Sequence, residues 1–162
     1  MTAATIALSF HTEADSDLET IGHHRAWHAA TFMKDRERTC YAVSTPTATA
    51  PANVRRGEIH VMVSRRSRDQ TDELMLTAGY PYKEGSTVRI SIGASTFTLP
   101  TGSEFAWAAD GSEIESLVKA MMGGQQMIVI GTSARGTETT DTYSLSGFTA
   151  AYKALVKACS GS

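Results

Sequence analysis

A short segment near the C-terminal end, G-T-S-A-R-G at residues 131–136, holds the side chains best suited to chemistry. Ser133 resembles the serine of the nucleophile elbow G-x-S-x-G, but Arg135 stands where that motif requires its second glycine. An elbow also continues into a helix, whereas the β-branched residues that follow here are typical of a strand. These departures disfavour a hydrolase. They leave open, as an alternative, a pocket near Ser133, Arg135 and Asp141 that binds or hydrolyses a small ligand.

Asp141 lies in the Thr-rich run 137–145, which the flanking glycines mark as a strand. Side chains alternate along a strand, so Asp141 shares a face with Tyr143 and Leu145. A carboxylate on such a face needs a partner, because burying an unpaired charge is costly. Arg135 is the nearest basic residue in sequence. We therefore predict a structural pair between Arg135 and Asp141 rather than a catalytic aspartate.

Three histidines that lie close together in sequence, His23, His24 and His28, raise the possibility of a metal site. They lie in a segment that is more typical of a strand than of a helix, and they match no H-E-x-x-H motif. The glycines at 131 and 136 fit neither G-x-G-x-x-G nor a P-loop. We therefore expect no metal, no cofactor and no bound nucleotide.

Basic residues are concentrated in one region although the formal net charge is only −2. A charge of this size gives no reason to expect nucleic acid as a partner. A solvated sheet edge explains the concentration best, since edge charges prevent strands from associating. A candidate interaction surface with an anionic contact remains open for five arginines: Arg55, Arg56, Arg65, Arg66 and Arg68.

The two cysteines, Cys40 and Cys159, lie far apart in sequence. Cys40 falls in a strand-like run, whereas Cys159 ends an amphipathic helix on its apolar face. This placement favours a structural disulfide over a metal site or a redox pair. Two buried free thiols are the alternative.

Length and composition indicate one domain. The chain has 162 residues, of which 41% are hydrophobic and 20% charged, as is usual for a globular protein. Residues 1–22 show no clear periodicity and are expected to form a loosely attached arm, with at most an edge strand. Residues 23–162 are expected to form the domain.

Short strands punctuated by turn residues predict a mainly β fold, an all-β sandwich. Segments 25–33 and 39–45 flank a charged turn and predict a hairpin with a longer loop. In the strand at 57–65, Met62 interrupts an otherwise polar outer face. The apolar segment 126–132 predicts a central strand that is covered on both faces.

Two helices accompany the strands. Ser112–Met122 opens with S-E-I-E, so we expect Ser112 to cap it. Its apolar positions share one face: Ile114, Leu117, Val118 and Met121. The last helix has a similar stripe of Phe148, Ala151, Tyr152, Leu155 and Cys159.

The sequence has no apolar run approaching the ~20 residues that a membrane-spanning helix requires. The first ten residues also lack the basic region and long apolar core of a signal peptide. We therefore expect either a cytosolic chain or the mature part of an exported one.

Several motifs resemble one family of bacterial exported proteins. They are C-Y-A-V-S-T-P, G-Y-P-Y-K-E-G-S, I-G-A-S-T-F-T-L, the Trp of E-F-A-W, and above all G-T-S-A-R-G-T-E-T-T-D-T-Y-S-L-S-G-F. Their order from Arg25 to Cys159 is similar to that of the invasion-associated locus B family.

This resemblance implies an immunoglobulin-like β-sandwich with two short α-helices. It also implies export to the periplasm or beyond, where the chain would act at the cell envelope without catalysis. Relatives in some intracellular pathogens are associated with entry into host cells. The expected partner is therefore another protein, or a component of the envelope or host surface. The family supplies no catalytic residues to carry over.

Overall fold

The computed structural model describes residues 18–161, which form eleven β-strands and two α-helices. The strands are β1 (Glu19–His24), β2 (Trp27–Lys34), β3 (Glu37–Ser44), β4 (Ala48–Ala50), β5 (His60–Arg66), β6 (Asp72–Thr77), β7 (Thr87–Ile92), β8 (Ser95–Gly102), β9 (Phe105–Ala108), β10 (Gln126–Thr132) and β11 (Glu138–Ser144). The helices are α1 (Gly111–Gly123) and α2 (Phe148–Cys159).

The strands form a sandwich whose two layers are joined through β8. All pairings are antiparallel, in the order β1-β2-β3-β5-β6-β9-β8-β7-β10-β11-β4. The stretch 95–100 of β8 pairs with β7, whereas Thr101 and Gly102 pair with β9. The first sheet therefore runs from β1 to β9, and the second from β8 to β4. The mainly β, immunoglobulin-like sandwich with two helices is confirmed.

The β2–β3 hairpin is tighter than expected. Lys34 pairs directly with Glu37, and only Asp35 and Arg36 connect the strands. Both connecting residues have positive φ, 51° and 65°, which is the backbone of a two-residue type I′ turn. The longer loop that the charged segment suggested is wrong, because Asp and Arg here adopt the left-handed conformation that usually falls to glycine or asparagine.

The core lies between the two sheets, with the helices closing it. Alternate residues of β7, namely Val88, Ile90 and Ile92, are buried as expected. In β10, however, Met127 and Val129 are buried whereas Ile128 and Ile130 stay half-exposed. The expectation that β10 is covered on both faces is wrong, because no element of the described chain covers its outer side.

Helix α1 begins one residue earlier than expected, and its cap is Asp110 rather than Ser112. The Asp110 Oδ1 accepts hydrogen bonds from the Glu113 backbone N–H (3.4 Å) and the Ser112 hydroxyl (2.9 Å). Aspartate is a preferred N-cap because its side chain accepts from otherwise unpaired helix donors. The buried stripe is the expected set, Ile114, Leu117, Val118 and Met121.

Helix α2 packs on the inner face of the first sheet. Its buried residues are Phe148, Ala151, Leu155 and Cys159, and the Phe148 ring meets Trp27 edge-on at 4.8 Å. Tyr152 on the same stripe is half-buried and reaches a charged pair at the sheet's end. A disulfide joins Cys159 to Cys40, with Cα atoms 5.9 Å apart, and so fastens α2 to β3.

The N-terminal part of the described chain belongs to the sheet. Glu19–His24 forms edge strand β1 on β2, so the ordered fold begins before the boundary at residue 23. The rest of the expected arm, residues 1–17, lies outside the described residues. Neither α1 nor α2 is long and apolar enough to span a membrane, and the described residues contain no other α-helix.

Truncating Leu117 should destabilise the fold, because the side chain is fully buried under α1. We expect Leu117→Ala to lower the free energy of unfolding by about 2–5 kcal/mol, measured by chemical denaturation. Lys119→Ala, at an exposed position of the same helix, is the matched control and should stay within about 0.5 kcal/mol of the parent. Equal midpoints for the two variants would show that α1 is peripheral to the core.

Removing the disulfide should also destabilise the protein, because the bond closes a loop with a sequence separation of 119 residues. The chain-entropy model gives a loss of about 4–5 kcal/mol for the double variant Cys40→Ala/Cys159→Ala. Denaturation curves with and without reductant measure this loss. Reductant should bring the parent toward the variant's midpoint and leave the variant unchanged; a variant as stable as the oxidised parent would contradict the expectation.

Candidate functional site

The most buried charge of the described chain, Asp141, is paired with Arg56. Strand β11 points Asp141 into the core, where it is only 2% exposed. The Arg56 Nη1 and Nη2 donate to the two carboxylate oxygens at 2.6 Å each, in a fork-to-fork arrangement. The predicted pair between Arg135 and Asp141 is therefore wrong. Arg135 lies in an exposed turn, whereas Asp141 lies three residues into β11, about 10 Å from its start.

The remaining contacts of Arg56 complete a closed structural network. Its Nε donates to the Ala78 carbonyl at 2.9 Å, and its guanidinium lies 5.2 Å from the centre of the Tyr80 ring. Burial alone would lower the pKa of Arg56, but the hydrogen bonds and charge of Asp141 outweigh it and raise that pKa above its ordinary value. A carboxylate whose two oxygens are both held in this way is a structural group rather than a catalytic base.

A close backbone approach positions Arg56 for this role. The Gly57 N–H donates to the Gly79 carbonyl at 2.8 Å, so the segment before β5 runs against the segment after β6. Gly79 has a φ of 72°, and a Cβ there would lie 2.6 Å from the Gly57 oxygen. Only glycine satisfies both requirements. Gly57, in G-E-I-H, and Gly79, in A-G-Y, are the sequence features that could have indicated this contact.

A pocket of about 390 Å³ lies beside this network, and we call it the Tyr80 pocket. Its lining residues are Val54, Arg55, Gly79, Tyr80, Pro81, Ser133, Ala134, Arg135, Thr137 and Thr139. The Tyr80 hydroxyl and the Thr139 Oγ1 share a 2.6 Å hydrogen bond. Burial raises the pKa of Tyr80 and keeps its phenol protonated. The pocket is therefore lined by hydroxyl and guanidinium donors over a partly apolar floor.

The structure brings together only two of the three residues proposed for a ligand-binding or hydrolytic pocket. Ser133 and Arg135 line the Tyr80 pocket, whereas Asp141 is not among its lining residues and is held by Arg56. The Ser133 Oγ accepts from the Thr137 N–H at 3.2 Å, and no histidine, carboxylate or lysine lines the pocket. A nucleophilic serine would need such a base, so this geometry does not support hydrolysis there.

A second polar cluster fastens α2 to the end of the first sheet. Arg65 donates to both oxygens of Asp72, at 2.6 and 3.0 Å, and to the Tyr152 hydroxyl at 3.2 Å. The Tyr152 hydroxyl in turn donates to Asp72. Burial and the neighbouring carboxylate raise the pKa of Tyr152 to about 12. This cluster borders a cavity of about 500 Å³, but its charges satisfy one another.

The five neighbouring arginines do not form one basic surface. Arg56 and Arg65 are held by Asp141 and Asp72, and Arg66 pairs with Asp69 at 2.8 Å. Arg55 lies before β5 and Arg68 after it, and the seven residues of β5 separate them by more than about 20 Å. The candidate interaction surface is therefore wrong as a single patch, because a strand carries residues that are close in sequence to opposite ends of the sheet.

Two of the three histidines meet across a strand pair. His23 on β1 faces His28 on β2, with their Nδ1 atoms 3.2 Å apart. Within residues 18–161 no group of three or more histidine, cysteine or carboxylate side chains could hold a metal ion.

Sequence reasoning missed an apolar surface on the outside of the first sheet. One row crosses four strands, since Val43 pairs with Met62, Met62 with Met75, and Met75 with Trp107. Trp107 is 38% exposed. We define the outer apolar face as Phe32, Tyr41, Val43, Met62, Met75, Phe105 and Trp107. Within the described residues neither helix covers this face, and it includes a groove of about 580 Å³.

The outer face of the second sheet has a different composition. There Ile128 and Ile130 lie among polar neighbours: Arg89, Ser91, Thr96, Thr98, Thr140 and Thr142. A polar outer face is the usual result when one side of an antiparallel sheet meets water. The first sheet departs from this rule. Met62, which interrupts the polar outer face of β5, was the sequence signal for it.

The Arg56–Asp141 pair predicts a specific pattern of stabilities. Arg56→Ala and Asp141→Ala should each cost about 3–5 kcal/mol, because each leaves a buried partner uncompensated. The double variant should cost much less than the sum, as measured by a denaturation double-mutant cycle.

The matched control for this cycle is Arg135→Ala, which removes an exposed arginine. It should stay within about 0.5 kcal/mol of the parent. A loss at Arg135 as large as that at Arg56 would contradict the observed pairing.

The fold and these motifs have counterparts among known proteins. The family model for the Invasion associated locus B (IalB) protein matches residues 27–156. No curated protein matches the chain. The crystal structure of invasion associated protein B from Bartonella henselae is similar, with a TM-score of 0.64 and 15% sequence identity over 86% of this chain and 96% of that one. The family match covers most of the sequence and includes both β10 and β11, so this chain belongs to the invasion-associated locus B family.

Proposed function

We propose that this chain is an exported, extracytoplasmic interaction protein that binds a protein partner through its outer apolar face and catalyses no reaction. The single observation that carries the proposal is the continuous row from Val43 to Trp107, which no other layer of the described residues covers. The similar Bartonella protein is named for invasion. By analogy, the partner belongs to the cell envelope or to a host surface.

The disulfide supports an extracytoplasmic location. Cys40 and Cys159 are both buried and bonded, at 0% and 1% exposure, and the structure holds no free cysteine among its described residues. Structural disulfides form and persist in oxidising compartments, and reducing systems keep them rare in the bacterial cytosol. The periplasm or the cell exterior therefore suits this chain.

The composition of the outer apolar face supports protein binding. Soluble monomers rarely expose contiguous apolar patches larger than roughly a few hundred Å². Patches above that size mark interaction sites. Aromatic residues and methionine are enriched at the centres of protein interfaces, and here they form the row Met62, Met75 and Trp107. Methionine also adapts its shape to a partner, because its side chain is unbranched and polarizable.

Charges around the face favour a protein over a lipid surface. Lys34 follows Phe32 on the same side of β2, and Glu58 lines the groove together with His60. Anionic membranes recruit surfaces that carry clusters of basic residues. A rim with both signs around an apolar centre is instead the usual anatomy of a protein–protein interface.

Site-specific photocrosslinking in the source bacterium tests this proposal. A benzophenone amino acid placed at Met75 should form one discrete adduct with a second protein when the cells are illuminated. The same group at Thr98, on the polar outer face of the second sheet, is the matched control and should form none. Adding Met62→Lys to the chain that carries the crosslinker at Met75 should abolish the adduct, because it places a charge beside the crosslinker.

Other outcomes would overturn the proposal. An adduct of twice the chain's mass would identify a second copy as the occupant, and no adduct at Met75 would leave the face without a partner. Thermal melts of each purified variant establish that it remains folded. Recovery of the oxidised chain from the cytosolic fraction alone would contradict the extracytoplasmic location.

A further inference from the structure

The side chains that line the Tyr80 pocket include several hydrogen-bond donors that have no acceptor in the described residues, and these donors indicate what kind of ligand the pocket binds. We propose that this pocket binds a small organic oxyanion, with a carboxylate or phosphate group held by Arg55 and Arg135 and an apolar body resting on Tyr80 and Pro81. This inference is independent of the outer apolar face, which lies on the other sheet. It assigns a binding site and no reaction.

Within the described residues, no group occupies the two arginines, so both can receive an anion. Both are exposed and line the same pocket, and within residues 18–161 neither makes a salt bridge or a side-chain hydrogen bond. In contrast, Arg56, Arg65 and Arg66 each hold a carboxylate. A guanidinium presents a planar fork of donors that matches the geometry of carboxylate and phosphate groups.

The pocket's hydroxyls supply further donors without acceptors. Tyr80 and Thr139 share one hydrogen bond between them, so one of their two protons has no acceptor in the described part of the chain. Ser133 accepts from the Thr137 N–H, and its own proton likewise has no acceptor there. Tyr80, Thr139 and Ser133 are 9%, 1% and 7% exposed, so water reaches them poorly.

Three backbone carbonyls around the pocket already accept hydrogen bonds. Gly79 O accepts from Gly57, Pro81 O accepts from Ala134, and Ser133 O accepts from Gly136, all at 2.8 Å. A ligand that brings its own donors would have to share these three oxygens with their existing partners. Oxyanions accept hydrogen bonds and donate none when fully ionised, so they match this surplus of donors.

The nearby carboxylates do not cancel the positive charge. Asp141 lies beside the pocket, but both of its oxygens are held by Arg56. Glu138 alternates with Thr139 along β11 and so points to the opposite face of the strand. The two rim guanidiniums therefore dominate the charge at the pocket mouth.

The pocket's size and floor favour an organic ligand over a bare ion. Its volume of about 390 Å³ falls within the range of small-molecule sites and is far larger than one phosphate requires. Val54, Pro81 and Ala134 add apolar surface to the Tyr80 ring. Burying a ligand's apolar body there adds to the contacts of its charged group.

Nuclear magnetic resonance titration of the folded, disulfide-bonded chain tests this assignment. The probes are benzoate and phenyl phosphate as organic oxyanions, benzyl alcohol as their neutral analogue, and inorganic phosphate as the bare anion. We expect saturable shifts of the Ala134, Thr137 and Thr139 amides with the two organic oxyanions. Arg135→Gln should weaken this binding at least tenfold, and Arg55→Gln should also weaken it.

Arg68→Gln is the matched control, since it removes the same charge at an exposed position away from the pocket and should leave the affinity unchanged. If Arg68→Gln weakens binding as much as Arg135→Gln does, net charge alone explains the loss of affinity, and the assignment of the anion to the Tyr80 pocket is wrong. If benzyl alcohol binds as tightly as the organic oxyanions, the pocket does not require an anionic group. If inorganic phosphate binds as tightly, the pocket does not require an apolar body. Either result would contradict the proposal. No saturable shift with any probe would overturn the proposal entirely.

Discussion

The buried pair between Arg56 and Asp141 is the constraint on which much of this structure depends. Removing two charges from water is expensive, and the cost is offset only when geometry and hydrogen bonding are nearly complete. Here the carboxylate, the guanidinium, the Ala78 carbonyl and the Tyr80 ring meet that requirement together. Satisfying Asp141 therefore sets the path of the chain before β5 and the position of Tyr80.

Two surfaces can interact with other molecules, the Tyr80 pocket and the outer apolar face, and the buried pair affects only the first. Because Arg56 holds both oxygens of Asp141, that carboxylate does not compete with a ligand for the exposed Arg55 and Arg135 of the Tyr80 pocket. The outer apolar face lies on the other sheet. It does not depend on these charges, since cross-strand pairing alone aligns Met62, Met75 and Trp107. Membership of the invasion-associated locus B family is compatible with either surface.

The features predicted from the sequence were those that depend on local periodicity. The stripe of α1 and the inward alternation of β7 were correct, because a buried face repeats every 3.6 residues in a helix and every two in a strand. The partner of Asp141 was predicted wrongly because the nearest basic residue in sequence was chosen. Arg56 lies 85 positions away, and sequence separation carries no information about which charge a buried carboxylate meets.

The sequence by itself determined the β-sandwich class, the two amphipathic helices and the core-facing position of Cys159, since each follows from residue types within a single element. Only the tertiary structure decided which arginine neutralises Asp141 and which apolar side chains line up across the outer side of the first sheet. Alternation places Met62 on the outer side of β5, but it does not show which side chains of the neighbouring strands lie beside it. That row is set by the register in which β3, β5, β6 and β9 pair, and strands distant in sequence come together only in the folded chain.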